Sequence, residues 1–376
     1  MTDCLNHMIE HRRWLHQHPE LAFEERETTA YIARQLRSLG IPFRQTGESG
    51  IIADIMVDQA LPTIAVRAEI DAVPIHEETE LSFASIHEGA MHACGHDANT
   101  ALLLALAEVL VFSKQAPSCN VRLIFEPAEE IGAGAHYMIL QGALQNPTPS
   151  QFLLFHFGNQ ETRGMEIQQS VSTALIRGLH ITVCGSASHF GQYREGIDAM
   201  YAAARLVTET HRINETCRTR QPFILGLGFM RAGCSGNIVA DHAEMKGSLR
   251  AFSHEDSQTV YQQLLDAAAE IEQDTGAAIQ IEVTREIPPI VNDGKMVEKG
   301  CKIGTTIFGE CFQLGTKPFL VGDNAAYYLQ HVPGMRVVFL AGKQDAQAYP
   351  VHNSKFDIDE RVMEDALAFF EHYFIS

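Results

Sequence analysis

The chain has 376 residues, of which 45% are hydrophobic and 20% charged; this globular composition can bury roughly 75% of the unfolded surface. Twenty-eight basic residues stand against 47 acidic ones, a net charge of −19, so the surface repels nucleic acid and anionic lipid and a non-specific nucleic-acid binder is excluded. The longest apolar run, ALLLALAEVLVF, is short and includes Glu108, and the opening MTDCLNHMIEHRRW is polar, so neither a membrane span nor a secretory leader is expected. Eight cysteines at irregular spacing point to free thiols in a reducing compartment, with the cytoplasm as the expected location.

Residues 24–39, EERETTAYIARQLRSL, read as a helix with Ile32, Leu36 and Leu39 on one stripe and Gly40 placed to close it in a left-handed conformation. The short apolar runs TIAVRAEI, NVRLIFEP and FLLFHFG read as strands, with ALLLALAEVLVF and residues 133–140 helical between them. This alternation predicts an α/β layer with chemistry at its loop ends. Past Ser170 the pattern changes. LIRGLHITVCG and HAEMKGSLRAF read as strands, and helices begin near Asp198 and Ser253. The second helix has a capping-box pattern in Ser253 and Asp256 and a stripe of Val260, Leu264, Ala268 and Ile271. AIQIEVT supplies a further strand after Gly276. Ile287–Pro289 interrupts the succession, VVFLAG returns to the first sheet, and Asp357 and Glu360 are placed to cap a last helix carrying Met363, Leu367, Phe370 and Phe374. The predicted architecture is a discontinuous α/β domain at 1–173 and 285–376, interrupted by a two-layer α+β insert at 174–284. The glycine-rich strings GLGF and GCSGN match no phosphate-binding loop and read as ordinary turns.

Four local patterns carry chemistry. MHACGHD places Cys94 and His96 two positions apart across Gly95, which permits a tight backbone path. EPAEE, after an apolar strand, offers two adjacent acids for separate tasks: Glu130 to bind a metal and Glu129 to handle the proton of an activated water. His156 lies in LFHFG and His352 in PVHNS. Each pattern alone has an ordinary explanation, such as a buried cysteine, a solvated acidic loop or a histidine satisfied by a carbonyl. His92 reads as a residue that hydrogen-bonds its own loop. Cys94, His96, Glu130, His156 and His352 together supply thiolate, imidazole and carboxylate donors suited to a transition metal, provided they converge.

With HRRWLHQHPELAFEE, RAEIDAVP, MHACGHD, EPAEE, GSASHFG and VHNSKFDIDE in this order, the chain resembles the peptidase M20 family, in its amidohydrolase branch, over essentially its whole length. The resemblance implies a metallopeptidase-like catalytic domain with an inserted lid and dimerisation domain. It implies two divalent ions per subunit, bridged by Cys94 and held also by His96, Glu130, His156 and His352. Zinc or manganese ranks first, with cobalt and nickel also admissible. It makes Glu129 the base, sets Asp71 near it, and assigns His189 as an oxyanion donor that reaches the site across a homodimer. Asn237 and Arg250 resemble substrate-binding residues. The expected reaction is hydrolysis of the amide bond of a small N-acyl amino acid; the alternatives are N-acetyl-diaminopimelate deacetylation or a non-catalytic small-molecule-binding homologue. No nucleic-acid or membrane partner is expected.

The sequence departs from the family pattern at several points. Glu69 stands where the family writes aspartate, Asn99 where histidine is common, and HFGNQ lacks the usual proline. SASHFGQYREG and GDNAAYYL also diverge. These departures bear on substrate choice more than on the ligands.

Overall fold

The computed structural model describes residues 2–343 and 348–375, apart from the side chains of 2 and 159–162. In chain order, α1 (Thr2–Gln17), α2 (Arg26–Ser38), β1 (Phe43–Gln45), β2 (Ile51–Ile55) and β3 (Thr63–Glu69) come first. Then come α3 (His96–Phe112), β4 (Asn120–Glu126), α4 (Gly134–Leu140), β5 (Gln151–Thr162) and β6 (Gly164–Gln168). They are followed by β7 (Leu175–Cys184), α5 (Ala199–Thr216), β8 (Ile224–Ala232), β9 (His242–Ala251), α6 (His254–Thr275) and β10 (Ala278–Ile287). The chain closes with α7 (Gly294–Phe308), β11 (Phe312–Gly315), α8 (Ala326–Leu329), β12 (Gly334–Gly342) and α9 (Arg361–Ile375). Two compact units result: one runs up to Ser172 and adds Val291–Lys317 and the part from Asp323 on, and the other is Thr173–Ile290 with Pro318–Gly322.

The first unit is built on an eight-stranded mixed sheet in the order β1-β2-β4-β3-β5-β12-β6-β11. β4, β3, β5 and β12 are parallel neighbours at its centre. The three apolar runs in the sequence become β4, β3 and β5. Alternation along each strand turns Val66, Ala68, Leu123, Phe125, Leu153, Phe155, Val337 and Phe339 into one core with α1, α3 and α9. Full burial of such side chains stabilises by about 1.5–3 kcal/mol each. The alternate positions carry Arg67, Glu69, Arg122, Glu126 and Arg336 among apolar residues such as Ile124, Phe152 and Leu154, all buried as well, so the second face holds an ionic network within a buried apolar layer. Residues 96–107 of α3 are buried, which is why its sequence shows a continuous apolar run and no stripe. α1 was not legible as a helix, yet its Cys4, Met8 and Leu15 join the same core.

The last helix is not capped as expected. Asp359 Oδ1 accepts from Arg361 N at 3.0 Å, while Asp357 and Glu360 accept from the Arg12 guanidinium at 2.7 and 2.9 Å. Arg12 is 1% exposed, and a buried cation needs charged partners more than an exposed helix end needs a cap.

The second unit is a four-stranded antiparallel sheet in the order β10-β7-β9-β8 with α5 and α6 packed on it. Leu179, Ile181, Val183, Met245 and Leu249 from the strands meet Leu206, Ile213, Val260, Leu264 and Ile271 from the helices. Asp198 caps α5 by accepting from Met200 N and Tyr201 N. Ser253 caps α6 by accepting from Asp256 N at 3.0 Å, but the reciprocal half of a capping box is missing because Asp256 Oδ1 accepts from Arg220 N at 2.9 Å. GLGF is not a turn: it lies inside β8. Opposite it, a Cβ added at Gly247 would stand 2.0 Å from Gly226 O, so glycine lets the two strands close. The β10 ladder continues to Ile287, past the expected insert end at 284. Pro318–Gly322, expected in the first domain, joins this unit through Ala174 N donating to Val321 O at 2.9 Å. All eight cysteines are free. Among the described residues no helix is long and apolar enough to cross a membrane.

Candidate metal centre

The loops after β4 and β12, strand β5 itself and the start of α3 bring the donor residues of the first unit together. Gly95 sits at φ +84°, where added side-chain atoms would have room but an L-residue would be strained. This turn puts Cys94 before α3 and His96 at its first residue. His352 itself has φ +64°, and its backbone N–H donates to Ala93 O at 2.7 Å, fastening its loop to that of Cys94.

The ligand atoms of Cys94, His96 and His156 lie within 4.8 Å of one another, and so do those of Cys94, Glu130 and His352. The two triads share one sulfur. Cys94 Sγ is 3.6 Å from His156 Nε2, and His352 Nε2 is 3.2 Å from Glu130 Oε1. His96, Glu129 and Glu130 form a third group under the same distance limit. The Nδ1 atoms of His96 and His156 are engaged by backbone carbonyls, Asp71 O at 2.9 Å and Phe157 O at 2.8 Å. Nδ1 of each ring is thus committed to a carbonyl and Nε2 is the nitrogen left for the cluster, the arrangement that orients histidine ligands.

The electrostatics are those of an anion and cation cluster. Burial pushes the Cys94 thiol up, but His96 and His156 outweigh it and bring it down to about 6. Burial likewise raises Glu130, yet the hydrogen bond to His352 and the charge of His96 hold it at about 2. Hydrogen bonds to Cys94 and Glu130 lift His352 to about 10. Glu129 is pushed the other way, well above the usual carboxylate range, by burial and by the Asp323 charge. Burial alone would raise Asp323 too, but Arg67 and Arg336 keep it low.

Asp71 acts on the ligands' frame. Its Oδ2 accepts from Glu130 N at 2.9 Å, and its Oδ1 lies 3.3 Å from His96 Nδ1. Glu129 is met from elsewhere: Asn324 N donates to its Oε1 at 3.4 Å. The two departures Glu69 and Asn99 touch each other, Asn99 Nδ2 donating to Glu69 Oε2 at 2.8 Å, and Asn99 Oδ1 accepts from Phe157 N at 3.3 Å beside His156. His92 does not hydrogen-bond its loop as expected. Both its ring nitrogens are buried without a partner among the described residues, and burial drives its ring down to about 3, a neutral packed histidine.

The other three sequence-derived site residues lie on the second unit. His189 is exposed, and its Nδ1 accepts from Gly191 N at 3.1 Å, which leaves the ring proton on Nε2 as an outward donor. Asn237 is its neighbour: Asn237 O accepts from Phe190 N at 2.9 Å, and its side chain accepts from Ser235 Oγ at 2.7 Å. Arg250 stands apart from that pair on β9 and donates to Leu320 O at 2.7 Å.

Sequence reasoning gave no role to Arg67, Glu126, Asn324 or Glu25. Arg67 donates to Glu69, to Glu126 Oε1 at 2.8 Å and to Asn324 Oδ1 at 2.8 Å, and Tyr328 OH donates to Glu126 Oε2 at 2.6 Å. One signal was present for Arg67 and Glu126: a basic and an acidic residue inside each of the otherwise apolar runs TIAVRAEI and NVRLIFEP.

The model of peptidase family M20/M25/M40 matches residues 65–376. The N-acetylcysteine deacetylase of Bacillus subtilis is 31% identical over 369 residues, covering 96% of this chain and 94% of its own length. An N-acetyl-L-cysteine deacetylase of the same organism is 32% identical over 361 residues, covering 95% of this chain and 85% of its own. A Bacillus subtilis crystal structure, described as a dinuclear metal-binding peptidase, superposes with a TM-score of 0.84 at 29% identity, over 98% of this chain and 97% of that one. The chain belongs to peptidase family M20/M25/M40 and is a hydrolase of the amidohydrolase and deacylase kind.

Proposed function

We propose that the protein hydrolyses the amide bond of a small N-acyl amino acid, releasing a carboxylate and the free amino acid, with two divalent ions per subunit. The observation that carries this reading is the pair of donor triads sharing Cys94 beside a half-buried Glu129. The donors fit such ions: a thiol already drawn toward thiolate, a carboxylate held ionised, and imidazoles whose Nδ1 atoms are engaged elsewhere. Cys94 with His96 and His156 would hold one ion, and Cys94 with Glu130 and His352 the other. The mixed donor set favours zinc or manganese and also accommodates cobalt or nickel. When bound, such ions supply Lewis acidity that lowers the pKa of water and polarises a carbonyl.

The chain's own residues do the proton work. Glu129 takes the proton of the attacking water and returns it to the departing amine, a task suited to a carboxyl whose proton affinity is raised by burial and by Asp323. Asp71 keeps His96 and the Glu130 backbone in register. His189, with its proton on Nε2, serves as the donor to oxyanion charge, and Asn237 and Arg250 as contacts for the amino-acid carboxylate. A second copy of the chain is the proposed partner, pairing through the second unit; exposed Ile224, Phe229 and Met230 on the edge strand β8 support this. The names of the two Bacillus subtilis deacetylases support a short acyl group.

The test is a metal assay of the purified protein, followed by a panel of acetyl, benzoyl and indole-acyl amino acids that includes N-acetyl-diaminopimelate. Glu129→Gln is expected to lose about 10²–10⁴ in kcat with its metal content unchanged. Full activity in that variant, or turnover of the diaminopimelate derivative alone, would overturn the base or the substrate class respectively.

A further inference from the structure

We infer that Glu25 is a positioning residue for the loop bearing Glu129 and Glu130: its carboxyl is the acceptor that holds Ala128 in a left-handed backbone conformation. The inference rests on the proposed roles of those two acids.

Glu25 occupies the N-cap position of α2, yet its side chain makes no capping bond. The capping is done by Glu20, five residues upstream. Glu20 Oε1 accepts from Arg26 N at 3.1 Å and Glu27 N at 3.0 Å, and its Oε2 accepts from Thr28 N at 2.8 Å. Helix stability therefore does not require the Glu25 carboxyl. It is instead fully buried, and its Oε1 accepts from Ala128 N at 2.8 Å, across a separation of 103 residues. Burying a carboxyl is unfavourable, and the distant partner this one reaches is the Ala128 amide.

That amide is the pivot of the loop. Ala128 has φ +56°, a conformation that L-residues other than asparagine and aspartate seldom adopt. The Ala128 carbonyl accepts from Ala133 N at 3.2 Å and Gly134 N at 3.0 Å, and Gly132 N donates to Glu129 O at 2.6 Å. One side of the Ala128 residue is thus closed by the loop itself and the other only by Glu25. The next residues are Glu129 and Glu130. Without the acceptor, the strain at Ala128 is opposed only by the loop's own bonds and by Asp71 on Glu130 N, and the loop relaxes toward conformations that turn the carboxylates away. Burial pushes the Glu25 carboxyl up to about 7, but Oε1 accepts in either protonation state, so an uncharged acceptor of the same length should serve.

The experiment compares Glu25→Gln, Glu25→Leu and Glu25→Leu/Ala128→Gly with the natural chain. Hydrogen exchange of the 128–134 amides is measured in metal-free protein, and kcat and KM are measured after reloading with zinc. Glu25→Gln keeps the acceptor and is expected to match the natural chain in both readouts. Glu25→Leu is expected to exchange these amides at least about tenfold faster and to lose kcat with KM little changed. Adding Ala128→Gly, which adopts the left-handed conformation without strain, is expected to recover part of both losses. Unchanged exchange in Glu25→Leu, or equal damage from Glu25→Gln, overturns the inference. Should Glu25→Leu fail to fold, Glu25→Gln still decides: natural exchange sustains the acceptor role and fast exchange removes it. The exchange readout needs no substrate, so it stands even if no N-acyl amino acid is turned over.

Discussion

His16 should make the stability of the first unit depend on alkaline pH. The ring is fully buried, with Nδ1 2.8 Å from Asp97 Oδ2 and Nε2 3.2 Å from Glu77 Oε1. Burial lowers its pKa, but the charge of Asp97 and the hydrogen bonds to both acids outweigh burial and raise it to about 9. A folded-state pKa above the unfolded value of about 6.5 means that the native state binds the proton more tightly. The stabilisation is therefore complete below about pH 6 and is lost as pH rises through 9. The rise from 6.5 to about 9 corresponds to roughly 3 kcal/mol. The perturbation is His16→Asn, which removes the titrating group. The assay is urea unfolding of metal-free protein between pH 6 and pH 10, followed by the fluorescence of the chain's single tryptophan. That residue, Trp14, stacks on Tyr31 and His18 in the same region and so reports on this unit. Subtracting the variant's curve cancels the other groups that titrate in this range. The natural chain should lose its advantage over His16→Asn across the interval, and parallel curves would refute the assignment of a buried, protonated His16.

Two further substitutions test the frame behind the centre. A Cβ at Gly134 would stand 1.9 Å from Pro127 O and 2.9 Å from Glu126 Cγ, so Gly134→Ala should cost more than about 2 kcal/mol and weaken cobalt binding. An unchanged melting temperature would show that the acidic loop moves aside freely. Arg67→Met removes the cation that faces Glu69, Glu126 and Asp323; the stranded charges should destabilise by about 3–5 kcal/mol. Adding Glu126→Gln should recover part of that in denaturant unfolding, and a double variant no more stable than Arg67→Met would count against charge as the cause.

Much of this architecture is local and was readable as such. β3, β4 and β5 announce themselves because a strand buried on both faces leaves a continuous apolar run, and α6 because one stripe of a helix faces a core. The donors Cys94, His96, Glu130, His156 and His352 stood out by residue type and by motif. Other features gave no local signal. α1 reads as polar because its buried positions are few. GLGF looks like a turn because glycine's tolerance of a close cross-strand approach resembles its tolerance of a bend. Asp357 and Glu360 look like caps because a sequence does not show that Arg12, far upstream, needs them.

The amino-acid sequence determined where strands and helices form and which side chains could ligate a metal, since period and donor chemistry are properties of neighbouring residues. Only the tertiary structure decided which donors stand with Cys94 in each triad, that Asn324 meets Glu129 and that Glu25 reaches Ala128. Those meetings follow from setting β4, β3, β5 and β12 side by side, a sheet order fixed by the packing of the whole core and written in no single stretch of chain.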